Sequence, residues 1–192
     1  MACTTTELTS AENAPRYDRV TIALHWATAI LVTGQFTSAH IWEQFQRGTS
    51  LRLSLISTHI AFGILLAAVI IARICWRFMN RGKLPPAVSG LQHVAASTVH
   101  FLLYGLLICQ VALGFTLGWA VNLPLSFFGL FTIPQLLTIA PEARQTIAAL
   151  HNGVAWAIIA IAGIHAAAAL LHHYVLRDHV LLRMIPQRRR RL

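Results

Sequence analysis

Four stretches of this chain carry no charged side chain. No Asp, Glu, Lys or Arg occurs from Val20 to Trp42, from Leu53 to Ala72, from Leu84 to Pro141 or from Gln145 to Leu176. A helix crosses a bilayer with about 20 mostly apolar residues, so the first, second and fourth runs each supply one span. The third is longer, but Pro124 and Pro134 divide its second half. It therefore reads as one span followed by a loop, and nothing in residues 120–140 decides between a helix, a re-entrant loop and a docking surface. The expectation is an all-α membrane protein, a four-transmembrane-helix bundle with spans at about 20–42, 53–76, 91–119 and 146–176. Composition agrees: 56% of the 192 residues are hydrophobic and 11% are charged, too apolar for a soluble domain of this length.

The residues outside the spans set the orientation. Residues 1–19 contain Glu7, Glu12 and Asp18 and lack a compact basic region, so the first span is not read as a cleavable signal. With four spans, the two termini and the loop after the second span share one side. Arg16, Arg19, Arg73, Arg77, Arg81, Lys83, Arg177, Arg183 and Arg188 to Arg191 all fall there, 12 of the 15 Lys and Arg residues. Only Arg47, Arg52 and Arg144 lie opposite. Positive charge stays inside, which makes residues 1–19 a cytoplasmic tail, 20–176 the membrane domain and 177–192 a basic cytoplasmic tail. The net charge of +9 is placed beside spans to meet anionic lipid headgroups, not nucleic acid. Cys3, Cys75 and Cys109 are isolated, with no C-x-x-C and no C-x-x-C-H, which argues against disulfides, zinc ribbons and covalently attached haem.

Ten histidines remain to be explained. His40, His93, His172, His173 and His179 lie near span ends, where an imidazole can stay interfacial or bond a neighbouring helix. His25, His59, His151 and His165 lie deeper, where an imidazole is costly unless paired or ligated. His151 and His165 are fourteen residues apart, about 40° short of four full helical turns, so both point the same way with an axial separation of about 21 Å. On the expected topology His25 comes to the depth of His165, and His59 to the depth of His151. Each layer thus offers two imidazoles and no Cys or carboxylate. Zinc wants three or four ligands, and a proton relay more naturally alternates His with acids. A haem brings its own four nitrogens and asks only for axial ligands, so two histidines per layer suit a six-coordinate b-type haem. Gly34, Gly63, Gly105, Gly114, Gly153 and Gly163 lie within the spans. They admit a flat macrocycle or, equally, ordinary close packing of helices.

Several segments together resemble the prokaryotic cytochrome b561 family, which groups with di-haem cytochrome b subunits of hydrogenases. They are YDRVTIALHW at Tyr17 to Trp26, STHIAFG at Ser57 to Gly63, RICWR at Arg73 to Arg77 with Pro85 and Pro86, and HFLLYGLL from His100. LHNGVAWAIIAIAGIHAAAALLHHY from Leu150 and DHVLLRMIP at Asp178 to Pro186 complete the set. The resemblance implies a four-helix membrane cytochrome with two bis-histidine haems b, whose ligand positions fall on His25, His59, His151 and His165. It also implies quinone as a redox partner, and some members look like superoxide oxidases that pass the electron to ubiquinone. Residues 120–140 are the part least like the family.

The functional expectation is an oxidoreductase of the bacterial inner membrane. A periplasmic one-electron donor, with superoxide as the candidate, would reduce the haem at His59 and His151, and the haem at His25 and His165 would reduce ubiquinone. The rival is a non-catalytic di-haem anchor relaying electrons between a periplasmic dehydrogenase or cytochrome and the quinone pool. Arg19, Arg73 and Arg77 lie where an Arg fork can pair with haem propionates, if they do not merely anchor topology. His100 is a further propionate candidate and the reserve axial ligand. His172 with Tyr174 is the candidate pair for the quinone, against interfacial anchoring.

Overall fold

A computed structural model describes residues 17–80 and 90–185. Most of the N-terminal tail, Arg81, Lys83, Pro85, Pro86, Pro186 and the arginines at 188–191 lie outside the described residues.

Four long helices cover the four charge-free runs: α1 Arg19–Trp42, α2 Ser50–Met79, α3 Gly90–Ala120 and α4 Ala143–Tyr174. Lipid offers the backbone no hydrogen-bond partners, so an apolar run that crosses it must close its own bonds, and the helix does so locally. At 1.5 Å per residue the 31 residues of α3 span about 46 Å, more than the roughly 30 Å hydrocarbon core, so the helix ends stand in the interfacial zones. Side chains at those ends provide the caps. Asp18 accepts from Thr21 N at 2.9 Å to begin α1, and from Trp76 Nε1 at 3.0 Å to tie it to the end of α2. Thr49 Oγ1 accepts from Arg52 N at 3.4 Å to begin α2.

α1 packs along α2, and α3 along α4, whereas α2 and α3 approach each other over a much shorter length. The bundle is thus two helical hairpins set side by side. Leu66 and Ile70 of α2, Leu107 of α3 and Ile158 of α4 form the buried centre, with Leu31 and Val32 of α1 against it. Apolar surface is not driven out of lipid as it is out of water, so close packing carries the association here. Large side chains accordingly remain on the outside, Ile71, Phe101 and Ile164 among them.

Both described termini meet at one end, called the inner end below. Tyr17 N donates to Arg183 O at 3.2 Å, and Trp26 Nε1 to Met184 O at 2.9 Å, fastening the 3₁₀ turn Leu181–Met184 to the start of α1.

At the opposite, outer end, the segment that sequence leaves unassigned folds partly as a hairpin. Strand β1 Leu125–Phe127 pairs antiparallel with β2 Phe131–Ile133 in the register Leu125↔Ile133. Phe128 and Gly129 have φ of 47° and 77°, and positive φ at both central residues is what a type I′ turn requires. Leu125 is buried against Gly118 of α3, where an added Cβ would stand 2.4 Å from Leu125 Cδ2. The described residues are therefore helical in the membrane spans, with one small strand pair beside them.

Candidate functional site: two histidine layers between the helical hairpins

The gap between the two hairpins is where the deep histidines collect. Near the inner end, His25 of α1 and His165 of α4 face each other with ring centroids 6.3 Å apart. His100 of α3 comes closer still to His165, at 5.1 Å, so the reserve ligand of the sequence reading lies inside this layer rather than at its rim. Arg73 Nη2 donates to His25 Nδ1 at 3.0 Å. Arg73 and Arg77 also lie over the ring of Tyr104, at 5.2 and 5.9 Å from its centroid. Three imidazoles and two guanidiniums thus share one level. Arg19 stays exposed at the start of α1, six residues before His25.

Toward the outer end, His59 of α2 and His151 of α4 line one cavity of about 450 Å³, within the range of ordinary cofactor sites. Gln35 and Gln110, Gly63 and Gly114 are also on its wall. His59 is held from α1. Its Nδ1 lies 3.0 Å from Ser38 Oγ, and its carbonyl accepts from Gln35 Nε2 at 2.8 Å. Trp42 packs edge-on against its ring at 4.7 Å. His151 is held less. Its Nε2 accepts from Gln110 Nε2 at 3.2 Å. Among the described residues, three buried atoms meet no hydrogen-bond partner, His151 Nδ1, Gln110 Oε1 and Trp119 Nε1. Two of them belong to residues on the cavity wall. His40, which sequence assigned to the interface, lines the same cavity and packs on Phe36 and Trp156.

These observations fit a b-type haem. Imidazoles from opposite hairpins share a level, and the outer pair opens onto a cavity. A Cβ at Gly114 would meet His151 Cε1 at 3.3 Å, and one at Gly63 would meet Gln35 Nε2 at 3.2 Å, so both glycines clear room beside the rings. The buried centre of Leu66, Leu107 and Ile158 lies between the layers, Leu66 being seven residues from both His59 and Arg73.

The structure treats the quinone candidates differently from each other. His172 Nδ1 bonds the Asp178 carboxylate. Tyr174 is 71% exposed and packs on His173 instead. Burial raises the pKa of Asp178, but the bonds from His172 and from Val180 N outweigh it, leaving the carboxyl below its ordinary value. Two of the three outer arginines are engaged with backbone. Arg52 donates to Trp42 O and Phe45 O, and Arg144 to Ala120 O.

Sequence reasoning missed Gln35, Ser38 and Gln110, although each is a polar side chain inside a charge-free run. Such residues are suspect by position in a membrane span, but a search keyed to charge and histidine passes over them.

Comparison with known proteins supplies the family. A model of the prokaryotic cytochrome b561 family matches residues 16–187. Cytochrome b561 homolog 2 of Escherichia coli (strain K12) is 31% identical over 185 residues, 92% of this chain and 95% of that protein. Cytochrome b561 homolog 1 of the same organism is 31% identical over 178 residues, 91% of this chain and 99% of its own length. The protein named probable superoxide oxidase CybB of Yersinia pestis is 30% identical over 179 residues, covering 91% and 98%. The chain belongs to the prokaryotic cytochrome b561 family, bacterial membrane cytochromes of the b type that transfer electrons across the membrane.

Proposed function

We propose that this cytochrome carries electrons inward across the bacterial inner membrane through two haems, with His25 and His165 as axial ligands of the inner one and His59 and His151 of the outer one. The observation that carries this reading is the sorting of the deep histidines into two levels between the hairpins, separated by apolar side chains. Bound haem would supply reversible one-electron chemistry, with two histidines of each layer holding the iron. The chain's part is to hold the rings, keep water from the centre and fix the charge around each layer. Arg73 and Arg77 put positive charge at the inner level, where they are placed to receive propionates and to favour the reduced state. Arg19 stands farther off at the same end.

The acceptor on this reading is ubiquinone at the inner end, and the donor is a periplasmic one-electron reductant with superoxide as the candidate. Support for the direction is the distribution of Lys and Arg, 12 of 15 on the side of the termini, which the positive-inside rule assigns to the cytoplasm. Support for superoxide is the printed name of one relative. The experiment is to count haem per polypeptide by redox difference spectroscopy, then supply superoxide outside proteoliposomes containing ubiquinone and the lone chain. Two haems and superoxide-dependent quinone reduction are expected, whereas one haem per chain would end the two-layer reading.

A second reading has one observation of its own. Phe128, Leu130 and Phe131 of the outer hairpin are exposed, a surface on which a periplasmic dehydrogenase or cytochrome would dock. The protein would then relay its partner's electrons to the quinone pool. A periplasmic subunit co-purifying with the cytochrome, together with no response to superoxide, would favour it.

A further inference from the structure

We infer that Ser38 is the positioning residue for His59, fixing the ring in the tautomer that offers Nε2 to the outer haem and lowering the potential of that haem relative to the inner one. This rests on the reading that His59 is an axial ligand.

The argument is one of donors and acceptors. A serine hydroxyl has a single hydrogen. Ser38 Oγ lies 2.9 Å from the Gln35 carbonyl and 3.0 Å from His59 Nδ1, so when His59 holds its proton on Nδ1 the serine hydrogen serves the carbonyl and the oxygen accepts from the ring. A histidine that offers Nε2 to iron carries its proton on Nδ1, and with Ser38 turned to the Gln35 carbonyl that proton has an acceptor. In that state the polarity runs one way, from His59 Nδ1–H to Ser38 Oγ–H to Gln35 O.

Gln35 also grips α2 directly. Gln35 Nε2 donates to the His59 carbonyl at 2.8 Å. Gly63, one turn beyond His59, leaves the space that amide occupies, since a Cβ there would sit 3.2 Å from it. Trp42 closes on His59 edge-on. The ring is therefore held through its Nδ1, its own carbonyl and its side.

The other axial candidates lack a serine at Nδ1. His151 Nδ1 is buried and unpartnered among the described residues. His25 Nδ1 faces a guanidinium, which has donors only, so a His25 that ligates through Nε2 finds no acceptor there for its Nδ1 proton. An imidazole that donates from its far nitrogen is a more basic ligand. A more basic ligand stabilises the oxidised iron and lowers the potential, while the inner layer, beside Arg73, is biased the other way. Electrons entering at the outer haem then run downhill to the inner one.

The test uses the full chain with its haems, titrated potentiometrically while the low-spin signals are followed by electron paramagnetic resonance. Ser38→Ala should raise the outer midpoint, shift the outer low-spin signal and leave the inner haem unchanged. It should also weaken retention of the outer haem by about 10–100-fold, the usual effect of losing such a support. Ser38→Thr, which keeps the hydroxyl, should restore the wild-type midpoint. Should Ser38→Ala lose the outer haem before titration, Ser38→Cys replaces it, because a weak acceptor must give a smaller shift of the same sign. Unmoved midpoints in Ser38→Ala or Ser38→Cys, or a Ser38→Thr that behaves like Ser38→Ala, would overturn the role of Ser38. His59→Ala tests the ligand reading separately, since two intact low-spin signals in that variant would remove the premise and not merely the support.

Discussion

His25 and His165 stand with ring centroids 6.3 Å apart and planes crossing at 68°, joining α1 to α4 near the end where the described termini meet. They are 140 residues apart in sequence, so only the folded bundle brings them to one level. If each layer binds its own haem, His165→Ala should abolish one low-spin signal and His59→Ala the other, with each variant keeping its second haem. Loss of the same signal in His59→Ala and His25→Ala would show that the pairs are drawn wrongly. His100 is the check on the inner pair, because its ring is nearer to His165 than that of His25 is. His100→Ala should retain both haems, whereas His25→Ala should not.

Arg73 couples the inner layer to a fixed charge, its guanidinium lying 3.0 Å from His25. A cation favours the state with one more electron, and it does so strongly where the surroundings screen weakly. Arg73→Gln should lower the midpoint of the inner haem and leave the outer one in place. Arg77→Gln should act in the same direction but less, since it is Arg73 that reaches the His25 ring directly. Potentiometric titration of each haem reads both, and an inner midpoint that rises in Arg73→Gln would contradict the argument.

The hairpin depends on the absence of a side chain at Gly118. A methyl group there would have to displace Leu125 Cδ2 from 2.4 Å, and Leu125 is only 3% exposed. Overpacking of this kind costs about 1–3 kcal/mol, read here as a lower temperature of haem release for Gly118→Ala in detergent. Leu125→Ala in the same chain should recover part of the loss, because the two residues are in contact and their effects are not additive. Equal effects of Gly118→Ala with and without Leu125→Ala would mean that the contact is not what limits stability.

The turn that follows α4 is pinned through Asp178, which accepts from His172 and from Val180 N. Its carboxyl is held below the ordinary value of 3.8. A lowered carboxyl pKa contributes stability above the ordinary value, and that contribution is lost as pH falls through the lowered one. Asp178→Asn should therefore flatten the acid limb of the unfolding profile below about pH 4 and have no such effect on its slope near neutrality. If His172 serves the quinone, His172→Ala should also slow ubiquinone reduction in proteoliposomes while both haems remain reducible. Unchanged turnover would leave His172 as an anchor of the turn alone.

The gross design was legible in the chain because membrane spans are read from charge and length, both local properties. Runs such as Leu53 to Ala72 have few other ways to fold in lipid, and the four helices lie over the four runs. The deep histidines were legible for the same reason, since an imidazole is conspicuous among Leu, Ile and Ala, and helical periodicity alone puts His151 and His165 on one face. Partners were harder. His172 and Tyr174 are two residues apart, yet the helix turns them to different neighbours, Asp178 and His173. The hairpin at Leu125 to Ile133 was hidden because a strand pair of three residues carries too little pattern to register, and it forms where Leu125 finds the space above Gly118.

Sequence by itself determined that this chain crosses the membrane four times and buries imidazoles at two depths, because solvation in lipid acts residue by residue. Only the tertiary structure decided what each imidazole touches. Ser38 reaches His59 across 21 positions, Gln110 reaches His151 across 41, and Arg73 reaches His25 across 48. A hydrogen bond is made at about 3 Å with a definite direction, and no local rule of spacing specifies which side chains of two different helices will meet at that distance.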